Sequence, residues 1–236
     1  MDDVVSLVDV LATYEGERHA TLAGITLSVS PSEQLAVTGP NGAGKTTILE
    51  VINGLLPVTS GTVRALGQAV TPASHRLRAQ IANVPQNLFF TPDTPFLVRD
   101  VVLAARFGRS KRWSLSMAED RGHAERALAA VGISDLQGRP VGRLSGGQQR
   151  KALLARALAQ EAKLLLLDEP TANLDPEAKR EVADLVALVR RDLGAAALVV
   201  SHESGPLLDA SDRAIRVESG RIVAGSRPVR IPVTSH

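Results

Sequence analysis

The chain is 236 residues long, with 44% apolar and 22% charged residues, enough apolar side chain for a sizeable core and too much for a disordered chain. With no cysteine, a disulfide framework, a thiolate zinc site and a thiol nucleophile are all excluded, as suits a reducing compartment. A formal net charge of +2 does not point to nucleic acid as the main partner. No apolar run approaches the ~20 residues of a membrane span, and the acidic start Asp2-Asp3 is unlike a signal peptide.

In chain order, Val4 to Leu11, Ile25 to Val29 and Leu35 to Thr38 are short runs rich in β-branched residues, which predicts three strands. Lys45 to Leu55 places Ile48, Leu49, Ile52 and Leu55 at helical spacing ahead of Pro57. Ile81 to Val84 predicts another strand. From Gln86 to about Ala162 the pattern turns helical, over Val98 to Phe107, Met117 to Val131 and Gly146 to Gln160. Strands resume at Leu164 to Leu167 and Ala196 to Val200. Between them a helix starts with Asp175 as cap and Pro176 in first position and ends at Gly194. The alternation argues for an α/β core of parallel strands with the helical block inserted in it.

Three segments carry chemistry. Gly39, Pro40, Asn41, Gly42, Ala43, Gly44, Lys45 and Thr46 match the phosphate-loop pattern, between a predicted strand and the helix that continues through Thr47. Glycines let backbone N–H groups turn toward phosphate oxygens, Lys45 neutralises the terminal phosphates, and the Thr46 hydroxyl can ligate Mg²⁺. The second segment is the apolar run Leu164 to Leu167, which ends in Asp168 and Glu169. Ligands bind at the carboxyl ends of buried parallel strands, so Asp168 is placed to hold Mg²⁺ and Glu169 to polarise a water against the γ-phosphate. The third is Leu144, Ser145, Gly146, Gly147 and Gln148, which opens a long helix. Ser145 and Gln148 have capping-box spacing, but two glycines in a first turn cost stability unless something approaches the backbone there. A bare helix N-terminus is a second anion site.

Essentially the whole chain resembles the ATP-binding subunit of ABC transporters. Leu144 to Gln148 is similar to that family's signature, upstream of Asp168 at the family's spacing; five such residues recur by chance in about one of several thousand chains of this length. The resemblance implies a P-loop (RecA-like) α/β ATPase core with an N-terminal antiparallel β subdomain and an inserted helical subdomain carrying the signature. Residues 1–236 would form a single ABC ATPase domain, with 1–86 and 163–236 as the nucleotide-binding core with its β subdomain and 87–162 as the helical part. It further implies ATP and Mg²⁺ as cofactors and a head-to-tail homodimer, with ATP sandwiched between one phosphate loop and the partner's signature. On the same ground Gln86 resembles the glutamine that senses Mg²⁺ and the γ-phosphate, and His202 the switch histidine on the γ-phosphate. Tyr14 resembles the aromatic that stacks on adenine, and Asp175 lies in the loop that crosses the dimer interface. Asn173 departs from the small residue more usual at its position.

With no membrane span of its own, a transporter subunit requires separate permease subunits. Leu88 to Trp113 contains Phe89, Phe90, Phe96, Phe107 and Trp113, every aromatic except Tyr14, and resembles the surface that receives a short helix of the permease. The basic residues Arg106, Arg109, Lys111 and Arg112 would face lipid headgroups or an acidic partner loop. These features imply a peripheral subunit on the cytoplasmic side of the cell membrane, in a complex that also holds an extracytoplasmic solute-binding protein. Thr94 to Leu103 and Arg106 to Arg109 resemble ATPases of zinc and manganese importers and, more distantly, iron-chelate importers. A non-transport ABC ATPase is the alternative, although the chain has neither a long coiled-coil insertion nor a second cassette. A small-molecule kinase on the same loop would leave the signature and His202 unexplained, and a nucleotide-gated scaffold would show little turnover.

Overall fold

The computed structural model describes residues 2–17, 19–86, 90–106, 117–202 and 205–226. The chain divides into two compact units, Met1–Ala73 with Ala196–His236, and Ser74–Ala195.

In the first unit, β1 (Val5–Ala12) runs antiparallel between β2 (Leu22–Val29) and β4 (Ser60–Ala65), and the short β5 (Gln68–Ala69) pairs with β4. The register Val5↔Val29 and Leu7↔Leu27 turns Val5, Leu7, Leu27 and Val29 to one buried face, as strand alternation requires. A second group places β3 (Gln34–Thr38) between β8 (Ala196–Val200) and β9 (Arg213–Glu218), parallel to both. The outer β10 (Arg221–Ser226) is antiparallel to β9. Leu35, Ala36 and Val37 are fully buried and every β8 residue is buried, the all-apolar pattern of a strand covered on both faces. The buried Gln34 side chain donates to the Leu207 carbonyl (2.8 Å) and Ser211 Oγ (3.0 Å), joining β3 to the short α7 (Pro206–Asp209). The helix after β3, α1 (Lys45–Asn53), stops two residues before the predicted end. Gly54 turns left-handed at φ 67°, and the Leu55 N–H reaches back to the Glu50 carbonyl.

In the second unit, β6 (Ile81–Val84) and β7 (Leu164–Asp168) pair in parallel from Ile81↔Leu164 to Val84↔Leu167. The unit's helices are α2 (His75–Arg78), α3 (Val98–Ala104), α4 (Met117–Ala130), α5 (Gly146–Ala159) and α6 (Pro176–Leu193). α5 is central among them, packing against α3, α4 and α6. A buried polar clamp adds to this packing. Arg106 donates from Nε to Asp120 on α4 (2.8 Å) and from a guanidinium nitrogen to the Ala159 carbonyl at the end of α5 (2.9 Å).

That clamp corrects one expectation. Arg106 is buried and paired, not part of an exposed basic cluster; the other three members, Arg109, Lys111 and Arg112, lie outside the described residues, as do Leu88, Phe89, Phe107 and Trp113. Among the described residues no helix is long and apolar enough to cross a membrane.

Candidate functional site

The glycine-rich segment leaves the carboxyl end of β3 in a conformation that side chains resist. Gly39, Gly42 and Gly44 have φ of 143°, 76° and 98°. A Cβ on Gly39 would stand 2.0 Å from the Val217 carbonyl oxygen, and one on Gly44 would stand 2.9 Å from the Thr21 carbonyl oxygen. Glycine is therefore required twice over, by backbone angle and by close approach. The Gly220 N–H ties the Ala43 carbonyl to the β9–β10 turn (3.0 Å). Lys45 is buried, and its ammonium donates to the Gly39 (3.0 Å) and Pro40 (2.9 Å) carbonyls, so the positive charge is folded across its own loop. Thr46 is exposed on the first turn of α1 and Thr47 is buried. Asn41 and Gly42 are exposed at the loop's tip. A glycine loop opening a helix beside one lysine is a built anion cradle.

Two more predicted residues lie in this unit. Tyr14, half-buried after β1, donates its hydroxyl to Glu50 Oε2 (2.5 Å) and meets Thr47 Oγ1 at 3.1 Å, both on α1. Burial raises the phenol's pKa, and the Glu50 carboxylate beside it pushes in the same direction. His202 is exposed two residues beyond β8, and the preceding Ser201 is buried with its N–H on the Val37 carbonyl (3.1 Å).

The remaining candidates belong to the second unit. Leu164 to Leu167 are fully buried, and Asp168 and Glu169 at the strand's end are each 6% exposed. Glu169 takes a positive φ of 48°, rare for a glutamate. Gln86 is exposed two residues beyond β6. Asp175 caps α6, accepting the N–H groups of Ala178 (2.9 Å) and Glu177 (3.0 Å). The Ala178 N–H in particular holds its carboxyl below the ordinary carboxylate range.

Ser145 caps α5 reciprocally: Gln148 N–H donates to Ser145 Oγ (3.3 Å), and Ser145 N–H to Gln148 Oε1 (3.1 Å). Leu144 is buried, while Ser145 and Gly146 are exposed. A Cβ on Gly147 would meet nothing within 4 Å, so packing within this chain does not require glycine there. Arg150, one turn on and missed by the sequence reading, donates to the Ala172 carbonyl (3.0 Å) in the turn that follows Glu169. The signature helix and the acidic strand end are thus tied together.

The ABC transporter family pattern matches residues 22–172, from β2 through the signature and the acidic strand end. The chain belongs to the ABC transporter ATP-binding cassettes. Among its relatives, this cassette is 34% identical over 225 residues to the manganese transport system ATP-binding protein MntB of Halalkalibacterium halodurans, covering 95% of this chain and 87% of that one. It is 36% identical over 235 residues to the phosphonates import ATP-binding protein PhnC 2 of Pseudomonas syringae, covering 94% and 83%. Among solved structures, it superposes on cbiO1 of Clostridium perfringens, part of the transporter complex cbiONQ, with a TM-score of 0.82 and 28% identity, covering 97% and 90%. The dimeric post-hydrolysis cassette MJ0796 bound to ADP and Pi shares the fold, with a TM-score of 0.84 at 24% identity. The ABC ATPase fold is therefore as predicted, and the cassette is an ATP-binding ATPase subunit of a transport system.

Proposed function

We propose that this ABC transporter ATPase subunit hydrolyses ATP by in-line attack of water on the γ-phosphorus, with Glu169 taking the water's proton as the bridging oxygen leaves on ADP. The observation that carries this reading is the glycine loop, closed to any Cβ at Gly39 and holding the Lys45 ammonium over its own carbonyls. Triphosphate oxygens replace those carbonyls as acceptors for Lys45 and for the loop N–H groups. Thr46, Gln86 and Asp168 each offer an oxygen donor of the kind Mg²⁺ takes, and the ion would neutralise charge developing on the β- and γ-phosphates. His202 contacts the γ-phosphate and Tyr14 stacks on adenine.

The signature segment serves the nucleotide of a second, identical subunit. The open space at Gly147 supports this, because among the described residues no packing requires glycine there. Asp175 lies in the loop that crosses the same interface. The domain arrangement in the complex is a single cassette over residues 1–236, with the signature in its helical part, peripheral to the cytoplasmic face of the membrane. The segment 88–113 docks permease subunits, and the 59% exposure of Phe96 supports it as an anchor. Import of a metal ion such as manganese or zinc, delivered by an extracytoplasmic solute-binding protein, is the substrate reading supported by the MntB relative. The PhnC relative, at similar identity, supports phosphonate import as the second reading; uptake of radiolabelled manganese in cells lacking this chain separates the two.

Glu169→Gln tests the chemistry. It is expected to bind ATP, to slow hydrolysis at least about 100-fold, and to accumulate as an ATP-bound dimer by size-exclusion chromatography. Wild-type turnover in that variant would remove Glu169 from the role of base.

A further inference from the structure

Tyr14 stands apart from every other aromatic in the sequence. The structure gives its ring two fixed partners that no motif announces, Thr47 and Glu50. They stand three residues apart on α1 and so on one helix face. α1 is a firm base, since Lys45, Thr47, Ile48, Leu49, Val51, Ile52 and Asn53 are all buried. The 2.5 Å separation between the Tyr14 hydroxyl and Glu50 Oε2 is that of a charge-assisted O–H···O⁻ bond. With the phenol proton committed to Glu50, the Thr47 hydroxyl is left to donate to the phenol oxygen.

We propose that Glu50 is a positioning residue for the nucleotide base: it holds the Tyr14 ring onto the helix whose first turn carries the phosphate-loop lysine, fixing the distance between base platform and phosphate cradle. The inference rests on the reading of Tyr14 as the adenine platform. Glu50 touches neither base nor phosphate in this role. Its contribution is pre-ordering, because a tyrosine on a connecting loop otherwise loses rotamer freedom when the base arrives. Thr47 gives the ring a second point of attachment, so the hydroxyl is held from two sides. The raised pKa of the phenol, from burial and from Glu50, is consistent with a hydroxyl kept protonated as donor.

The test compares ATP with inorganic tripolyphosphate, which offers the phosphates without a base, as ligands of the full chain by calorimetry. Glu50→Ala is expected to weaken ATP binding about tenfold and to leave tripolyphosphate binding within about twofold. Glu50→Gln keeps an acceptor within reach of the hydroxyl and is expected to restore most of the ATP affinity. Because Tyr14 is the only tyrosine, an alkaline absorbance titration reports on its hydroxyl alone. That titration should move to lower pH in both variants, since both remove the carboxylate charge. Equal losses for ATP and tripolyphosphate would make Glu50 a structural residue only and overturn the proposal. If Tyr14→Ala weakens ATP binding while Glu50→Ala does not, the proposal fails and the platform reading stands. If Tyr14→Ala binds ATP as the wild type does, the platform reading fails and takes the proposal with it.

Discussion

The buried clamp at Arg106 gives the most quantitative test of how the second unit is held together. Its side chain is 10% exposed and that of its partner Asp120 is 11% exposed, with Nε and Oδ1 2.8 Å apart. Arg106→Ala removes the guanidinium that pairs Asp120 and leaves the Ala159 carbonyl without that donor. Breaking a buried pair from one side costs about 3–5 kcal/mol, because the carboxylate keeps its desolvation penalty and loses the guanidinium's charge. At about 2–4 °C per kcal/mol for a chain of this size, the melting temperature should fall by roughly 6–20 °C. The double variant Arg106→Met with Asp120→Leu removes both charges at similar volume and should recover most of the loss. Urea unfolding followed by far-ultraviolet circular dichroism measures both variants. A loss below about 1 kcal/mol for Arg106→Ala, the scale of a solvated surface pair, would refute the burial argument.

Other expectations follow from the loop and the cap. Gly39→Ala places a Cβ against the Val217 carbonyl and should cost at least about 3 kcal/mol, with ATP binding lost. Gly42→Ala, which has positive φ but open space around it, should cost only about 1–2 kcal/mol; equal stabilities in thermal melts would contradict the close-approach argument. Asp175 has a folded-state pKa below its unfolded value. Its contribution is therefore full above the unfolded pKa, near ~3.9, and is lost as the pH falls through the folded value. Asp175→Asn keeps the acceptor and should flatten this part of the pH profile of urea midpoints. Parallel profiles for variant and wild type would show that the cap carries no charge linkage.

Most of the parallel core was legible because its strands are short apolar runs ending in recognisable chemistry. β4, β5, β9 and β10 escaped notice. β9 reads Arg213-Ala-Ile-Arg-Val-Glu218, with two apolar anchors, Ile215 and Val217, among charges, and only its pairing with β3 makes it a strand. The turns that would have marked these hairpins are Leu66-Gly67 and Ser219-Gly220, each with both residues at positive φ. Neither is the Asn-Gly or Asp-Gly pair that signals such turns most strongly. The phosphate loop was readable because its chemistry is contiguous, whereas the Glu50–Tyr14 bond spans 36 positions and exists only after folding. Gly146 and Gly147 stand out in the sequence as two glycines in a first helical turn, but a Cβ on Gly147 would meet nothing within 4 Å, so the packing described does not account for glycine there.

The left-handed backbone at Glu169 sets stability against activity at one position. A glutamate there costs on the order of 1–2 kcal/mol over a glycine that adopts the same angles freely. Replacing it with glycine would relax the backbone and remove the proposed base together. On the proposed role of Glu169 as base, a selection for heat resistance alone would thus favour glycine at this position at the expense of ATP turnover.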